Sequence, residues 1–324
     1  MDTVYVMHGT LLKREDNTIR VTLESGKKVR LPVESVKHLV IPTACQMNTE
    51  LLNFLGQSHV RVSFLDYYGN HQASLEPALS YGSGAVHLAQ ARQILDPVKR
   101  LILAKLLMDG ASYNLVQNLK YYQYRGRPLE AAVQAMQFHR ERLSRADTIE
   151  QLMGSEGLLR QSYYAAWVLI HPDLRISRRT RRPPTDRVNA LISFGNGLMY
   201  SACQQAITQT HLDPTLSVVH APTQARSSLA LDLAEIFKPV IVDRLIFRWV
   251  NRGIATAAQF QEEEGMCLLS RSGRDAFVED FRREMDSTRI ADLVGYHAVI
   301  LREAYRLEAH VLEMEEYQPF LRRV

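Results

Sequence analysis

The sequence predicts an α+β protein, with a β-rich N-terminal domain over residues 1–82 and an all-α C-terminal domain over residues 83–324. Two hydrophobic periods and one break between them predict it. Thr18-Ile19-Arg20-Val21-Thr22-Leu23 alternates apolar and polar residues, the pattern of a half-buried strand. From Val86 onward apolar residues recur at helical spacing instead: Leu88, Ile94, Leu95, Val98, Leu101 and Ile102. Between the two regimes lies Gly82-Ser83-Gly84, a flexible stretch that marks the boundary.

Within the first domain, Glu24-Ser25-Gly26-Lys27 turns the chain after the Thr18–Leu23 strand, and Val29-Arg30-Leu31 begins the return. Val36 to Ile41 and Val60 to Leu65 are further strands, separated by a short helix from about Asn48 to Leu55. Exposed strand edges and a flat apolar face would suit self-association. In the second domain Pro97 should break or kink the opening helical run, because proline lacks an N–H and clashes with the preceding turn. Helices follow over 129–145, 156–170, 187–211, 227–237 and 240–251. Glu262-Glu263-Glu264 reads as a solvated acidic turn. There is no internal repeat and no low-complexity segment.

Hydrophobic residues make up 46% of the 324, enough to form a core, which excludes a disordered chain. The net charge of +4 is mildly basic and excludes a histone-like polycation. Cys45, Cys203 and Cys267 are odd in number and widely spaced, so neither a disulfide framework nor a zinc cluster follows. Met1-Asp2-Thr3-Val4-Tyr5 has no charged region leading into a long apolar stretch, and no apolar run is long enough to span a bilayer. A reduced cytoplasmic setting is the expectation.

The chemistry concentrates in an apolar helix, Leu229-Ala230-Leu231-Asp232-Leu233-Ala234-Glu235-Ile236-Phe237. So apolar a helix should be buried, and burying acids is unfavourable unless they are paired or bind a metal. Asp232 and Glu235 stand three residues apart, project from one face and should look toward one positive point. That point is a metal, or it is an arginine such as Arg226 or Arg244 in an ordinary ion pair. His220 lies just upstream, either as a ligand or as a satisfied core residue beside Leu216-Ser217-Val218-Val219. Glu156 lies between Gly154 and Gly157 at the start of an amphipathic helix. Paired glycines there indicate close backbone approach, so that a ligand can reach the glutamate without crowding. The alternative is an acid favoured by the helix dipole at an N-terminus.

Arg175, Arg178, Arg179, Arg181 and Arg182 crowd into one stretch that ends at Pro183-Pro184, which disfavours continued helix. The stretch is a solvated basic loop or a phosphate-backbone clamp, and its place between the segments bearing Glu156 and the other acids favours the clamp. Lys120-Tyr121-Tyr122-Gln123-Tyr124-Arg125-Gly126-Arg127 interleaves aromatic and basic residues. These rings either stack on bases or pack the end of a helix, and they are not assigned to a site.

Taken in order, a series of motifs resembles one family. It comprises Glu156-Gly157 with Tyr163 seven residues after the acid, Arg181-Arg182-Pro183-Pro184-Thr185-Asp186, and Val188-Asn189-Ala190-Leu191-Ile192-Ser193-Phe194-Gly195. It continues with His220, Arg226-Ser227-Ser228-Leu229-Ala230-Leu231-Asp232-Leu233-Ala234-Glu235 and Val242-Asp243-Arg244. This series is similar to CRISPR-associated protein one, the integrase and endonuclease of spacer acquisition. The resemblance covers nearly the whole chain, including Val62-Ser63-Phe64-Leu65 and the following Asp66-Tyr67-Tyr68-Gly69-Asn70. The chain departs from the family at Ala225-Arg226, where Gly-Arg is common, and at Phe194-Gly195-Asn196-Gly197. Residues 158–161 also lack the family's Ala-Ala-Arg pattern.

The resemblance implies that Glu156, His220 and Glu235 coordinate a divalent metal in a catalytic helical domain, with Asp232 as a supporting catalytic acid and Arg226 joining the basic loop as a DNA contact. Two carboxylates and an imidazole suit Mn²⁺ or Mg²⁺, the imidazole favouring Mn²⁺. Such an ion stabilises an in-line displacement at phosphorus, in which the attacking hydroxyl is water or the 3′-OH of a DNA end. The resemblance further implies a homodimer through the β-rich domain, and two dimers flanking a small ferredoxin-like second CRISPR-associated protein in a heterohexamer. Two other readings stand beside integration: a metal nuclease that cuts branched DNA or RNA without joining, and a non-catalytic nucleic-acid-binding module whose acids pair with arginines.

Overall fold

The structure is a computed structural model and describes residues 3–66, 69, 71–77, 82–220, 227–287 and 294–322. The chain forms two compact units, Met1–Tyr81 and Gly82–Val324.

The first unit holds two sheets. Its strands are β1 (Thr3–Tyr5), β2 (Gly9–Glu15), β3 (Thr18–Leu23), β4 (Lys28–Pro32) and β5 (His38–Ile41), then helix α1 (Thr49–Gln57), β6 (Arg61–Leu65) and β7 (His71–Leu75). One sheet runs β1-β5-β6-β7 and the other β2-β3-β4. The period-two reading of β3 holds: Ile19 and Val21 are buried while their neighbours are not. The return strand pairs antiparallel with it, Val21 opposite Val29, across a turn in which Gly26 takes φ +78°, a conformation that costs glycine little. Helix α1 begins one residue later than expected, because Asn48 is its cap and accepts the Leu51 N–H at 3.0 Å. Leu12, Ile19, Leu39, Leu51, Leu55 and Val62 meet in the core of this unit.

The second unit begins with α2 (Gly84–Leu95) and α3 (Pro97–Gln123). Proline divides them as expected: Pro97 takes the first position of α3, where its missing N–H is not needed, and Asp96 caps the helix by accepting from Val98 N at 2.9 Å and Lys99 N at 3.0 Å. Next come α4 (Glu130–Ser144), α5 (Ile149–Ile170) and α6 (Arg187–Ile207), then α7 (Ser228–Phe237), a π-helical turn at Pro239–Asp243 and α8 (Arg244–Asn251). The chain closes with strands β8 (Phe260–Glu263) and β9 (Met266–Leu269) and helices α9 (Arg271–Met285) and α10 (Tyr296–Val311).

Three expectations need correction. The second unit is not all-α, since β8 and β9 form an antiparallel hairpin; Glu262 and Glu263 belong to β8, and Glu264 with Gly265 makes its turn. The helix expected over 156–170 starts at Ile149, so Glu156 sits two turns inside it and gains nothing from an N-terminal dipole. Thr148 sets that start by accepting the Gln151 N–H at 3.2 Å. The run expected as one helix over 240–251 is a π turn followed by α8. Pro239 cannot donate into the regular ladder, and the Asp243 N–H reaches back five residues to the Lys238 carbonyl at 3.0 Å.

The π turn is packed, not loose. Val240, Ile241 and Val242 are buried, and Asn118 of α3 donates to the Pro239 carbonyl at 2.7 Å. Gly195 of α6 lies against it: a Cβ there would stand 2.6 Å from Val242 Cγ1 and 3.2 Å from the Phe277 ring. Gly195→Ala should therefore lower the free energy of unfolding by about 1–3 kcal/mol through overpacking. Equilibrium denaturant unfolding checks this, and an unchanged midpoint would show that the α6 contact yields without strain.

Candidate functional site

Helix α7 directs its two acids to different neighbours. Asp232 is fully buried. Its Oδ2 accepts the backbone N–H groups of Val218 at 2.7 Å and Val219 at 3.0 Å; its Oδ1 accepts the His220 N–H at 3.1 Å and meets His220 Nδ1 at 2.6 Å. Ser217 Oγ adds a bond to the His220 carbonyl at 2.6 Å. The 217–220 segment is thus wound around one carboxylate. With Nδ1–H donated to Asp232, the lone pair of the imidazole lies on Nε2. The hydrogen bond to Asp232 raises the pKa of His220 above 6.5, against the opposing effect of burial.

Glu235 turns toward α5. It accepts hydrogen bonds from the Arg160 guanidinium on Oε2 and from the Lys238 ammonium on Oε1. Arg160 Nε also donates to Glu156 Oε1 at 2.6 Å, so one guanidinium joins an acid of α5 to an acid of α7. Burial disfavours the ionised Glu235, but the charges of Arg160 and Lys238 outweigh it and bring its pKa down to about 2. Lys238 is buried as well, with its ammonium 5.1 Å from the centre of the Tyr200 ring. The same electrostatic neighbourhood contains His220, whose charge acts on Glu235.

The expectation that Asp232 and Glu235 share one point is therefore corrected: one organises the histidine loop, the other faces Glu156 through Arg160. Neither pairs with Arg244, whose guanidinium lies 5.2 Å from the Tyr121 ring, and Arg226 lies outside the described residues. Arg160 and Lys238 were the residues that sequence reasoning missed. Their signals were present, since Arg160 follows Glu156 by four and Lys238 follows Glu235 by three, the spacings that bring opposite charges together on a helix. Gly154 and Gly157 are not points of close approach: a Cβ at either would meet nothing within 4 Å. They leave the α5 surface beside Glu156 bare.

Below this cluster a buried polar chain supports α5. Asn118 donates to Tyr163 Oη at 3.0 Å, and Tyr163 donates to Asp243 Oδ2 at 3.0 Å. Burial raises the pKa of Asp243 to about 7 despite the nearby Arg160 charge.

Of the basic stretch, Arg175, Arg178, Arg181 and Arg182 are exposed, on a segment without regular secondary structure after Leu174. Arg179 does not join them. Its guanidinium turns inward to Asn189 Oδ1 at 2.8 Å and Ser193 Oγ at 3.0 Å and also bonds the Thr180 carbonyl, so it braces the segment against α6. In the 120–127 stretch, Tyr122 packs edge-on to Phe247 at 5.5 Å, and Tyr121 lies between Arg125 and Arg244. These rings close the end of α3, as the packing account holds, while Tyr124 stays exposed.

Among the described residues, no three His, Cys, Asp or Glu side chains stand close enough to hold one ion. The donor chemistry of Glu156, Glu235 and His220 Nε2 still fits a hard divalent cation with one nitrogen ligand. The two glutamates already share a cation, the Arg160 guanidinium.

The model of the family "CRISPR associated protein Cas1" matches residues 4–283. The CRISPR-associated endonuclease Cas1 2 of Moorella thermoacetica is 36% identical over 323 residues, spanning 98% of each chain. The structure of a CAS1 protein from Thermotoga maritima superposes with a TM-score of 0.88 at 31% identity, over 98% of this chain and 99% of that one. Two more distant structures share the fold. A casposase bound to integration product has a TM-score of 0.86 at 20% identity, covering 98% of this chain and 93% of its own. A Cas6-RT-Cas1–Cas2 complex has a TM-score of 0.87 at 16% identity, covering all of this chain and 36% of its own.

The Asp232–His220 pair gives a pH-dependent expectation. The carboxylate favours the imidazolium, so the folded pKa of His220 lies above its unfolded value of 6.5. The stability this contributes is fully present below pH 6.5 and is lost as pH rises through the folded value. Asp232→Asn removes the charge and should lower the His220 pKa. NMR titration of the His220 ring checks it, and an unmoved midpoint would mean that Asp232 does not set the charge of the imidazole.

Proposed function

Because the chain belongs to the CRISPR-associated protein Cas1 family, we propose that it is a metal-dependent DNA integrase and endonuclease that inserts short DNA into a CRISPR array. The observation that carries this reading is the facing of Glu156 and Glu235 across one shared cation, beside a histidine whose Nε2 is left open by Asp232. Mn²⁺ or Mg²⁺ would be held by Glu156, Glu235 and His220 Nε2, and when bound it supplies charge stabilisation for in-line displacement at phosphorus.

The remaining roles belong to the chain itself. Asp232 is a positioning residue: it selects the tautomer and orientation of His220 and holds the 217–220 segment in place. Lys238 offsets the Glu235 charge at Oε1, the oxygen that Arg160 does not bond, and keeps that carboxylate ionised. The exposed guanidiniums of Arg175, Arg178, Arg181 and Arg182 would bind backbone phosphates and fix the register of DNA, with Arg179 anchoring their segment to α6. The attacking group is the 3′-OH of an incoming DNA end in integration and water in nicking.

The casposase, caught on an integration product, and the complex that includes Cas2 support joining as the reaction and a second subunit as partner. We assign this chain a homodimer through its β-rich unit, two of which flank a small ferredoxin-like Cas2-type protein in a heterohexamer. A cytoplasmic setting fits this, and among the described residues no helix is long and apolar enough to cross a membrane. Native mass measurement should give a dimer alone and the hexamer with the partner; monomers under both conditions would refute the assembly.

The Arg160 and Lys238 pairs favour one competing reading, a non-catalytic module with fully paired acids. Strand transfer separates the two. Purified protein with Mn²⁺, a labelled short DNA with free 3′-OH ends and a supercoiled plasmid bearing a repeat should move label into the plasmid, with the partner subunit added in a parallel arm. Glu156→Ala and Glu235→Ala should reduce transfer to background. Nicking without label transfer would point to a nuclease that does not join, and no metal-dependent change in any arm would favour the non-catalytic module.

A further inference from the structure

We propose that Arg160 is a built-in, displaceable cation that holds the metal position between Glu156 and Glu235 in the resting protein and competes with the divalent ion for both carboxylates. The proposal rests on the reading of Glu156, His220 and Glu235 as metal ligands, and it assigns Arg160 a role toward that ion.

Geometry comes first. The guanidinium bonds Glu156 Oε1 through Nε at 2.6 Å and Glu235 Oε2 through Nη2, spanning two helices. Both oxygens of Glu235 are in use, one by Arg160 and the other by Lys238. Each oxygen keeps a second lone pair, so an ion is opposed by the charge of these two cations, and its entry favours release of one of them. Lys238 is the fixed one: it follows Glu235 on the same run of chain, its side chain is 7% exposed and its ammonium lies over Tyr200. Arg160 is the mobile one. It reaches across from α5, its side chain is 16% exposed, and it connects both acids at once.

Charge points the same way. Glu156, Glu235, Arg160 and Lys238 sum to zero, so a divalent ion entering with both basic residues in place would leave two uncompensated positive charges. Arginine stays protonated at any physiological pH, so it cannot yield by losing a proton; it must move. The surface gives it room. Helical side chains lie over the turn N-terminal to their own Cα, and that turn of α5 carries Gly157, around which a Cβ would meet nothing within 4 Å. A side chain as long as arginine can swing over that bare face into water and leave the two carboxylates to the ion.

Two consequences separate this role from a structural brace. Removing the Arg160 charge should strengthen metal binding, whereas a brace that shapes the site would weaken it when lost. The metal-free protein should lose stability at the same time, since Glu156 and Glu235 would face each other with one cation fewer.

The test uses the full chain, stripped with chelator and titrated with Mn²⁺ alone, with free Mn²⁺ followed by electron paramagnetic resonance. Arg160→Gln should bind Mn²⁺ about tenfold more tightly than wild type or better, the scale expected from removing a unit charge beside the ion. Its metal-free melting temperature should fall below wild type and rise further than wild type on adding Mn²⁺. Arg160→Lys keeps a charge but loses the planar fork, so it should show a smaller tightening, and it serves if the glutamine variant does not fold without metal. Glu235→Gln in the wild-type background monitors the site. If Glu235→Gln abolishes binding but both Arg160 variants bind Mn²⁺ no more tightly than wild type, the competition is overturned and the metal site stands. If Glu235→Gln leaves Mn²⁺ affinity unchanged, the ligand assignment fails and the competition with it.

Discussion

A carboxylate buried in an apolar helix needs a cation, and much of the second unit is arranged around meeting that need at Glu235. The helix that bears it, α7, is buried along nearly its whole length. An isolated ion in such a place would take up a proton instead of staying charged. Arg160 from α5 and Lys238 from the residue after α7 keep it ionised. The Arg160 contact also links α5 to α7, at the point where Glu156 emerges. The electrostatic solution and the placement of the site are one arrangement.

The other acid of α7 does different work by the same logic. Among the described residues, Asp232 pairs with no lysine or arginine. Its two oxygens are met by three backbone N–H groups and one imidazole. Each of those N–H groups, left unmet in the interior, would cost about 1–3 kcal/mol. The segment is therefore held to the carboxylate, and His220 is delivered in one orientation with one tautomer. Beneath, the π turn at Pro239–Asp243 lets the chain pass a proline without leaving the core. Asn114 and Asn118 of α3 collect the carbonyls freed there, Ile236 at 3.0 Å and Pro239 at 2.7 Å. The polar groups of α3, the π turn and α7 thus interlock.

Much of the fold was legible in the residues. The alternation at Thr18–Leu23, the break at Pro97 and the apolar run at 229–237 each became the element its period predicted, because burial patterns follow directly from strand and helix geometry. The errors have local causes. Glu262-Glu263 reads as a turn on charge alone, yet lies in a strand whose exposed edge accepts charged residues. Helix α5 starts upstream of the expected 156 because Thr148 caps it there, and the helix runs on through Gly154 and Gly157, which mark no close approach. Val240 to Asn251 has helical periodicity throughout, and nothing in that period distinguishes a π turn from α-helix.

For the site, the sequence by itself determined part of the inventory: that Asp232 and Glu235 are buried, that a histidine and a basic stretch accompany them, and that a positive group must face Glu235. These follow from residue chemistry and helical spacing alone. Only the tertiary structure decided the partners. Arg160 and Glu235 are 75 residues apart, and their meeting depends on how α5 and α7 both pack on α3. Asp232 and Glu235 are three residues apart, yet they serve different neighbours, because each side chain goes to the donors that packing places around it. Spacing along a helix sets which residues share a face; what that face meets is settled by the rest of the chain.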